Sequence, residues 1–328
     1  MSKPTWGFIA LSLLLLYCCQ SPQPELYTIG VLQVNDASTM TETRRGFVES
    51  LAEEGLVDGR DIQILVESAH GQIPEIWRIA EGFVARGVDM IVPLSTPSLQ
   101  AALHATSEIP IVFASVANPY LAGAGVSADD HLRNVSGVSS EGPIRQSLAF
   151  IKSLMPGIQR IGTLWTPSEL NSLFYKDKAR EEAGALGLEM IAVPIANASE
   201  VLLSAQILIN KKIDVIYQIS DNTINQAFQA VGRVAVDNEI PLFGGVLYHT
   251  ELGACAALGW DFYDIGHRAG KIALRIKDGE SPENIPFQYM DKVMLHINLK
   301  MAEKQGIVFP EDVLNNADRV IDSEPSLF

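Results

Sequence analysis

Short apolar runs separated by amphipathic stretches alternate along most of the chain, and this alternation predicts its elements. Residues 27–33 read as a strand. A polar turn leads to a helix over 41–54, where Phe47, Val48 and Leu51 are apolar at helical spacing and Arg44, Arg45, Glu49 and Glu53 are polar. The pattern then predicts strand 62–67, helix 74–86, strand 89–94, helix 98–106 with Pro97 at its start, and strand 110–114. A loop over 117–134, rich in Gly, Ala and Asp, precedes strand 135–138. Helix 143–154, closed by Pro156-Gly157, opens a second series: strand 160–165, helix 169–186, strand 188–193, helix 199–210, strand 213–219, helix 222–237 and strand 240–244. Strand 254–259, helix 262–277, strand 292–297 and helix 299–305 follow, and the pattern weakens after Pro310. Such alternation makes βαβ units, hence an α/β fold of parallel sheets with helices on both faces.

The second series repeats the first. Ile29-Gly30-Val31-Leu32-Gln33 returns as Ile161-Gly162-Thr163-Leu164-Trp165, Val88-Asp89-Met90-Ile91-Val92 as Ile213-Asp214-Val215-Ile216-Tyr217, and Ile109-Pro110-Ile111-Val112-Phe113 as Ile240-Pro241-Leu242-Phe243-Gly244. The offsets are 132, 125 and 131 residues, so order and spacing hold. Two similar lobes with a cleft between them are expected, and a cleft is a place to hold a small molecule. The expected organisation is a signal segment over 1–19, a tether over 20–26, a first lobe from 27–140 with about 260–288, a second lobe from 141–259 with about 289–310, and a tail over 311–328. Crossovers near 139–142, 259–261 and 287–291 would restrict the lobes to hinge motion.

Composition narrows the function. At 328 residues the chain can build two domains, each with its own core. A net charge of −15, with no run of Lys or Arg, argues against nucleic acid as a partner. Lys3, the apolar run over 8–16 and the following Tyr17-Cys18-Cys19 form a pattern like a bacterial lipoprotein signal. Cys19 is the expected lipidation site, with Leu16 at −3 and Cys18 at −1; Cys18 as anchor would put bulky Tyr17 at −1. Only Cys255 then remains, so no internal disulfide is expected, and in its strand-like run it reads as a small core residue.

In open α/β sheets, ligands sit beyond the carboxyl ends of the strands. The turn residues there are Asn35, Asp36 and Ser38, then Ser95, Thr96 and Ser98, then Ser115 and Asn118 in the first lobe. In the second they are Thr166, Ser168 and Asn171, then Ser220, Asp221 and Asn222, then Gly245, Tyr248 and His249. Hydroxyls and amides dominate, which fix a ligand rather than activate a bond. Ser95, Thr96 and Ser98 converge at a helix N-terminus and could cradle a carboxylate, or Ser95 or Thr96 could simply cap that helix. Asp221 could accept a ligand ammonium, with Asn222 in support, or could cap helix 222–237. Asp261 is in a similar position before helix 262–277. Trp165, Tyr120, Tyr248, Trp260 and Phe262 are aromatic groups near the expected cleft. There is no G-x-S-x-G, H-E-x-x-H, Walker A or C-x-x-C motif, no G-x-G-x-x-G after a strand, and no His pair at i,i+3 or i,i+4; no catalytic group, cofactor or metal is expected.

These residues resemble those of the ABC-transporter substrate-binding lipoproteins whose characterised members bind tryptophan, tyrosine or phenylalanine. The resemblance rests on Ile29–Gln33, Gly46-Phe47 through Gly55 and Gly59, Ser95-Thr96-Pro97-Ser98, Ile109–Phe113, Asn134–Val138, Ile161-Gly162, Asp221-Asn222-Thr223, Ile240–Gly244, Gly259–Gly266 and Ile297-Asn298-Leu299. It runs from about residue 27 to 310. Where the family often has Thr-Asp-Pro after Phe113, this chain has Val116-Ala117-Asn118-Pro119, which removes an acid; Trp165 stands where relatives often have Tyr.

The resemblance implies a type I periplasmic-binding-protein fold, with two Rossmann-like lobes and a multi-strand hinge. It also implies a lipid-anchored extracytoplasmic protein, expected as a monomer, that delivers a small zwitterion to an ABC permease and its ATPase, with aromatic amino acids the expected ligands. The expected ligand-binding set is Asn35, Ser95, Thr96, Ser98, Ser115, Asn118, Trp165, Ser168, Asp221, Asn222 and Gly245. A ligand-sensing module of a membrane receptor, binding of a nucleoside or sugar, and a secreted enzyme are the alternatives.

Overall fold

In the computed structural model, which describes residues 26–325, the chain's first strand sits inside its sheet. β1 (Tyr27–Gln33) pairs in parallel with β2 (Ile62–Ser68) and β3 (Met90–Leu94), and β4 (Ile111–Val116) and β5 (Val135–Ser139) extend the sheet beyond β3. α1 (Ser38–Glu53), α2 (Ile73–Ala85) and α3 (Thr96–Ala105) connect them. After α4 (Ile144–Leu154) the second lobe has the same plan. β6 (Arg160–Trp165) lies between β7 (Glu189–Pro194) and β8 (Val215–Gln218), and β9 (Leu242–Gly244) and β10 (Ala256–Gly259) follow. Its helices are α5 (Leu170–Ala185), α6 (Val201–Ile209), α7 (Asn222–Gln226) and α8 (Phe228–Asp237). The expected single helix over 222–237 is broken at Ala227, whose φ of −123° and ψ of 22° leave the helical region.

The closing segments serve both lobes. α9 (Phe262–Lys277) packs along α1 in the first lobe, and β11 (Gln288–Tyr289) pairs with β5. β12 (Met294–Asn298) then joins the second sheet antiparallel to β10. α10 (Leu299–Lys304), α11 (Glu311–Asn315) and β13 (Arg319–Ile321), parallel to β12, complete the described chain. The weakly patterned tail thus holds an edge strand. Three connections run between the sheets: β5 to α4, β10 to α9, and β11 to β12. The Trp260 indole N–H donates to the Glu141 carbonyl at 2.8 Å and ties two of them together.

The repeated residues have a common physical cause. A Cβ on Gly30 would lie 2.7 Å from the Phe83 ring, and one on Gly162 would lie 2.6 Å from Ile213 Cδ1. In each lobe glycine lets the layer above the first strand pack closely. Asp89 and Asp214 also act alike: Asp89 accepts the Thr28 N–H at 2.7 Å, and Asp214 accepts those of Gln159 and Arg160 at 2.7 and 2.8 Å. Each satisfies free backbone donors at the start of the neighbouring strand. Cys255 is fully buried, its thiol directed at the Leu242 carbonyl, and burial pushes its pKa up to about 12.

Candidate functional site

The carboxyl ends of β3 and β4 form the first lobe's half of the cleft. Ser95 has a φ of +106°, which lets the chain turn directly from β3 into α3. It donates to Ser98 Oγ at 3.0 Å, and the Ser98 N–H reaches back to Ser95 Oγ at 3.4 Å. Ser95 therefore caps α3. Next to it, Ser115 has a φ of +57° at an irregularity in the pairing of β4 with β5. The Thr43 hydroxyl donates to the Thr39 carbonyl at 2.7 Å, so the 2.7 Å contact of Thr43 with Ser115 is a bond that Ser115 donates. Two strained serines at adjacent strand ends are a mark of functional loops. Thr96, next to Ser95, has a buried Oγ1 without a partner.

In the second lobe two buried carboxylates organise the loops. Asp221 caps α7: Oδ1 accepts the Ile224 N–H at 2.8 Å and the Thr166 hydroxyl at 3.0 Å, and Oδ2 accepts the Thr166 N–H at 2.9 Å. Glu169 accepts five bonds. Thr223 supplies its N–H at 3.0 Å and its hydroxyl at 2.6 Å to Oε1; Asn222 supplies its N–H at 3.2 Å and its amide at 2.7 Å to Oε2, and the Asn171 amide adds one at 3.2 Å. The other end of the Asn171 amide, Oδ1, is buried and unpartnered. Lys176, largely buried, holds its ammonium 4.4 Å over the half-buried Trp165 ring.

The lobes meet around these groups. Asn35 Nδ2 donates to the Asn222 carbonyl at 2.8 Å, a bond from one lobe to the other, and α3 packs against α5. Thr96 Oγ1 and Asn171 Oδ1 therefore stand at the starts of two helices that meet across the interface. A buried polar atom without a partner costs about 1–3 kcal/mol.

The structure thus gathers Asn35, Ser95, Thr96, Ser98, Ser115, Trp165, Asp221 and Asn222 at facing strand ends. Ser168 instead points to solvent beside Pro167 and Pro194. Asn118 accepts the Leu121 N–H at 3.0 Å and shapes its own loop. Gly245 lets the loops after β8 and β9 touch, since a Cβ there would lie 3.1 Å from the Gln218 carbonyl. His249 is buried, stacked 3.7 Å from Phe228 and bonded to Asn225; burial lowers its pKa to about 3. Glu169 and Lys176 lay outside the expected set. One signal for Glu169 was available: Thr166-Pro167-Ser168-Glu169 has capping-box spacing, although the carboxylate bonds the loop after β8 and the Asn171 side chain instead of a backbone N–H at its own helix start. Among the described residues no group of three or more His, Cys, Asp or Glu could hold a metal ion.

Burial, and after it the Glu169 charge, raises the Asp221 pKa to about 7, against the pull of its donors. An acid whose folded pKa is raised contributes stability below its unfolded value near 3.8 and loses it as pH rises through the folded value. Stability is therefore expected to fall between about pH 4 and 7, and Asp221→Asn to flatten that slope. Urea denaturation at pH 4.5, 6 and 7.5 checks this; equal slopes for both proteins would refute it.

Comparison with known proteins adds four findings. Residues 28–321 match the family described as ABC transporter substrate binding protein. A tyrosine-binding protein of Clostridioides difficile (strain R20291) is 33% identical over 282 residues, covering 85% of this chain and 81% of the relative. Among solved structures, an ABC domain from Streptococcus pneumoniae in complex with L-Trp has a TM-score of 0.86 at 28% identity, covering 90% of this chain and 100% of that one. A ligand-free, open substrate-binding protein with adhesive properties from Clostridium difficile has a TM-score of 0.68 at 30% identity, covering 91% and 100%. At nearly equal identity, the structure holding L-Trp has the higher TM-score of the two.

Proposed function

The chain belongs to the ABC transporter substrate binding protein family, and from that premise we propose that it captures an aromatic amino acid between its lobes for import. One observation carries this reading: Thr96 Oγ1 and Asn171 Oδ1, both buried and unpaired, sit on helices that meet across the interface. Thr96 at the α3 N-terminus offers a hydroxyl and the helix dipole to a carboxylate. Asn171 Oδ1, an acceptor only, with Glu169 bonded to the same amide, offers a place for an ammonium. Asp221 serves this arrangement indirectly, by capping α7. Trp165 supplies an aromatic surface to a ring. The names of the relatives, one binding tyrosine and one holding L-Trp, support the same ligand class.

The family is extracytoplasmic, and delivery to an ABC permease and its ATPase is part of the proposal. Among the described residues no helix is long and apolar enough to cross a membrane. Cys19 lies outside the described residues, and its role as lipid anchor rests on the sequence pattern.

Titration calorimetry with L-tyrosine, L-tryptophan and L-phenylalanine, against galactose and adenosine, tests the reading. At least one aromatic amino acid is expected to bind near micromolar, about −8 kcal/mol, and the sugar and nucleoside not at all. Binding of galactose or adenosine with no amino-acid response would overturn it.

A further inference from the structure

A cavity of about 260 Å³ lies between the lobes on the far side of α1 from the residues gathered at the strand ends. Thr43 on α1 faces Ser115, whereas Glu42 and Arg45 line this cavity. Its first-lobe wall also includes Asp261 and Tyr263 at the start of α9. Its second-lobe wall includes Tyr248, Glu251, Met294 and Arg319, and Trp260 lies where the lobes join. None of the residues gathered at the cleft takes part.

The charges decide what could enter. Arg45 is already paired with Glu42 and Glu49, and lies 4.4 Å over the Tyr263 ring. Arg319 is paired with Glu251. His296 is kept neutral mainly by burial, which lowers its pKa. Asp261 accepts the Tyr263 N–H at 2.9 Å and has no ion-pair partner among the described residues. The lining thus carries one uncompensated negative charge beside Trp260, Tyr248 and Met294. A carboxylate among aromatic faces and a thioether suits a cation with an apolar body.

We propose that this cavity is a second binding site, specific for a small organic ammonium ion about the size of one ring. Ligand pockets typically measure about 300–1,000 Å³, so this one takes only a small molecule. Because its walls come from both lobes, an occupant favours the drawn-together arrangement and strengthens binding in the cleft.

Calorimetry on the purified full-length chain, with phenethylamine as probe and phenylacetate as its oppositely charged counterpart, tests this. Phenethylamine is expected to bind and phenylacetate not. Asp261→Asn keeps a good N-cap for α9 but removes the charge, and should weaken phenethylamine about tenfold or more. Met294→Trp should block the site by filling it. Saturating phenethylamine should raise the L-tyrosine affinity of the wild type about fivefold or more. Equal binding of phenylacetate, or wild-type phenethylamine binding in both Asp261→Asn and Met294→Trp, would overturn the site. An unchanged tyrosine affinity would overturn the coupling. Failure of tyrosine to bind the wild type at all would count against the cleft reading and leave the phenethylamine arms standing.

Discussion

Glu169→Gln is expected to weaken aromatic amino-acid binding at least about 100-fold, a loss of about 2.7 kcal/mol, whereas Asp221→Asn is expected to weaken it less than about tenfold. The difference follows from what each carboxylate faces. Both Glu169 oxygens accept only from donors: Thr223 at one, Asn222 and Asn171 at the other. Whichever way a glutamine amide is turned, its NH₂ group meets an N–H or O–H, and at least one buried donor is left unpaired, at about 1–3 kcal/mol. The Asn171 amide is then released or flipped, and Oδ1 no longer points reliably to the ligand. The negative charge near the proposed ammonium is also lost. Asp221→Asn disturbs the α7 cap and should lower the melting temperature, but it leaves Glu169 and Asn171 in place. Calorimetry with L-tyrosine on folded variants distinguishes the two. If Asp221→Asn loses more affinity than Glu169→Gln, the ammonium belongs to Asp221.

That contrast also shows how much the sequence could reveal. The central strands were legible because they are apolar runs buried on both faces, as in β3 and β4, and the repeat was legible because close packing demands glycine at both Gly30 and Gly162. The serines and threonine after β3 were legible because ligands in such folds sit at strand ends. The choice between Asp221 and Glu169 was not, because both stand at helix starts where an acid has an ordinary use. Only the arrangement in space shows that Asp221 turns toward its own helix and Thr166, while Glu169 spans two loops. β13 was missed for a different reason. Arg319–Ile321 is a short, mostly exposed edge strand, and nothing but its register against β12 makes it one.

Gly266→Ala is expected to destabilise the protein by about 3 kcal/mol and lower its melting temperature by about 5 °C. α1 and α9 cross with their backbones almost touching. A Cβ on Gly266 would lie 1.8 Å from the Thr43 carbonyl oxygen, and one on Gly46 would lie 2.0 Å from that of Tyr263. The obstacle in both cases is backbone, which cannot rotate aside as a side chain can. The helices must separate, and the contacts of Phe47, Ile265 and Ala269, all buried in the first-lobe core, loosen together. Alanine's better helix propensity, about 1 kcal/mol, offsets only part of this. Gly184→Ala, on the exposed side of α5 with nothing within 4 Å of the added carbon, isolates that propensity term and should stabilise by about 0.5–1 kcal/mol. Scanning calorimetry of both variants measures the pair, and a Gly266→Ala melting temperature equal to wild type would mean the helix crossing is far more yielding than its geometry implies. The same glycines that the repeat does not require are thus explained by a crossing that joins the first helix of the lobe to the segment returning from the second.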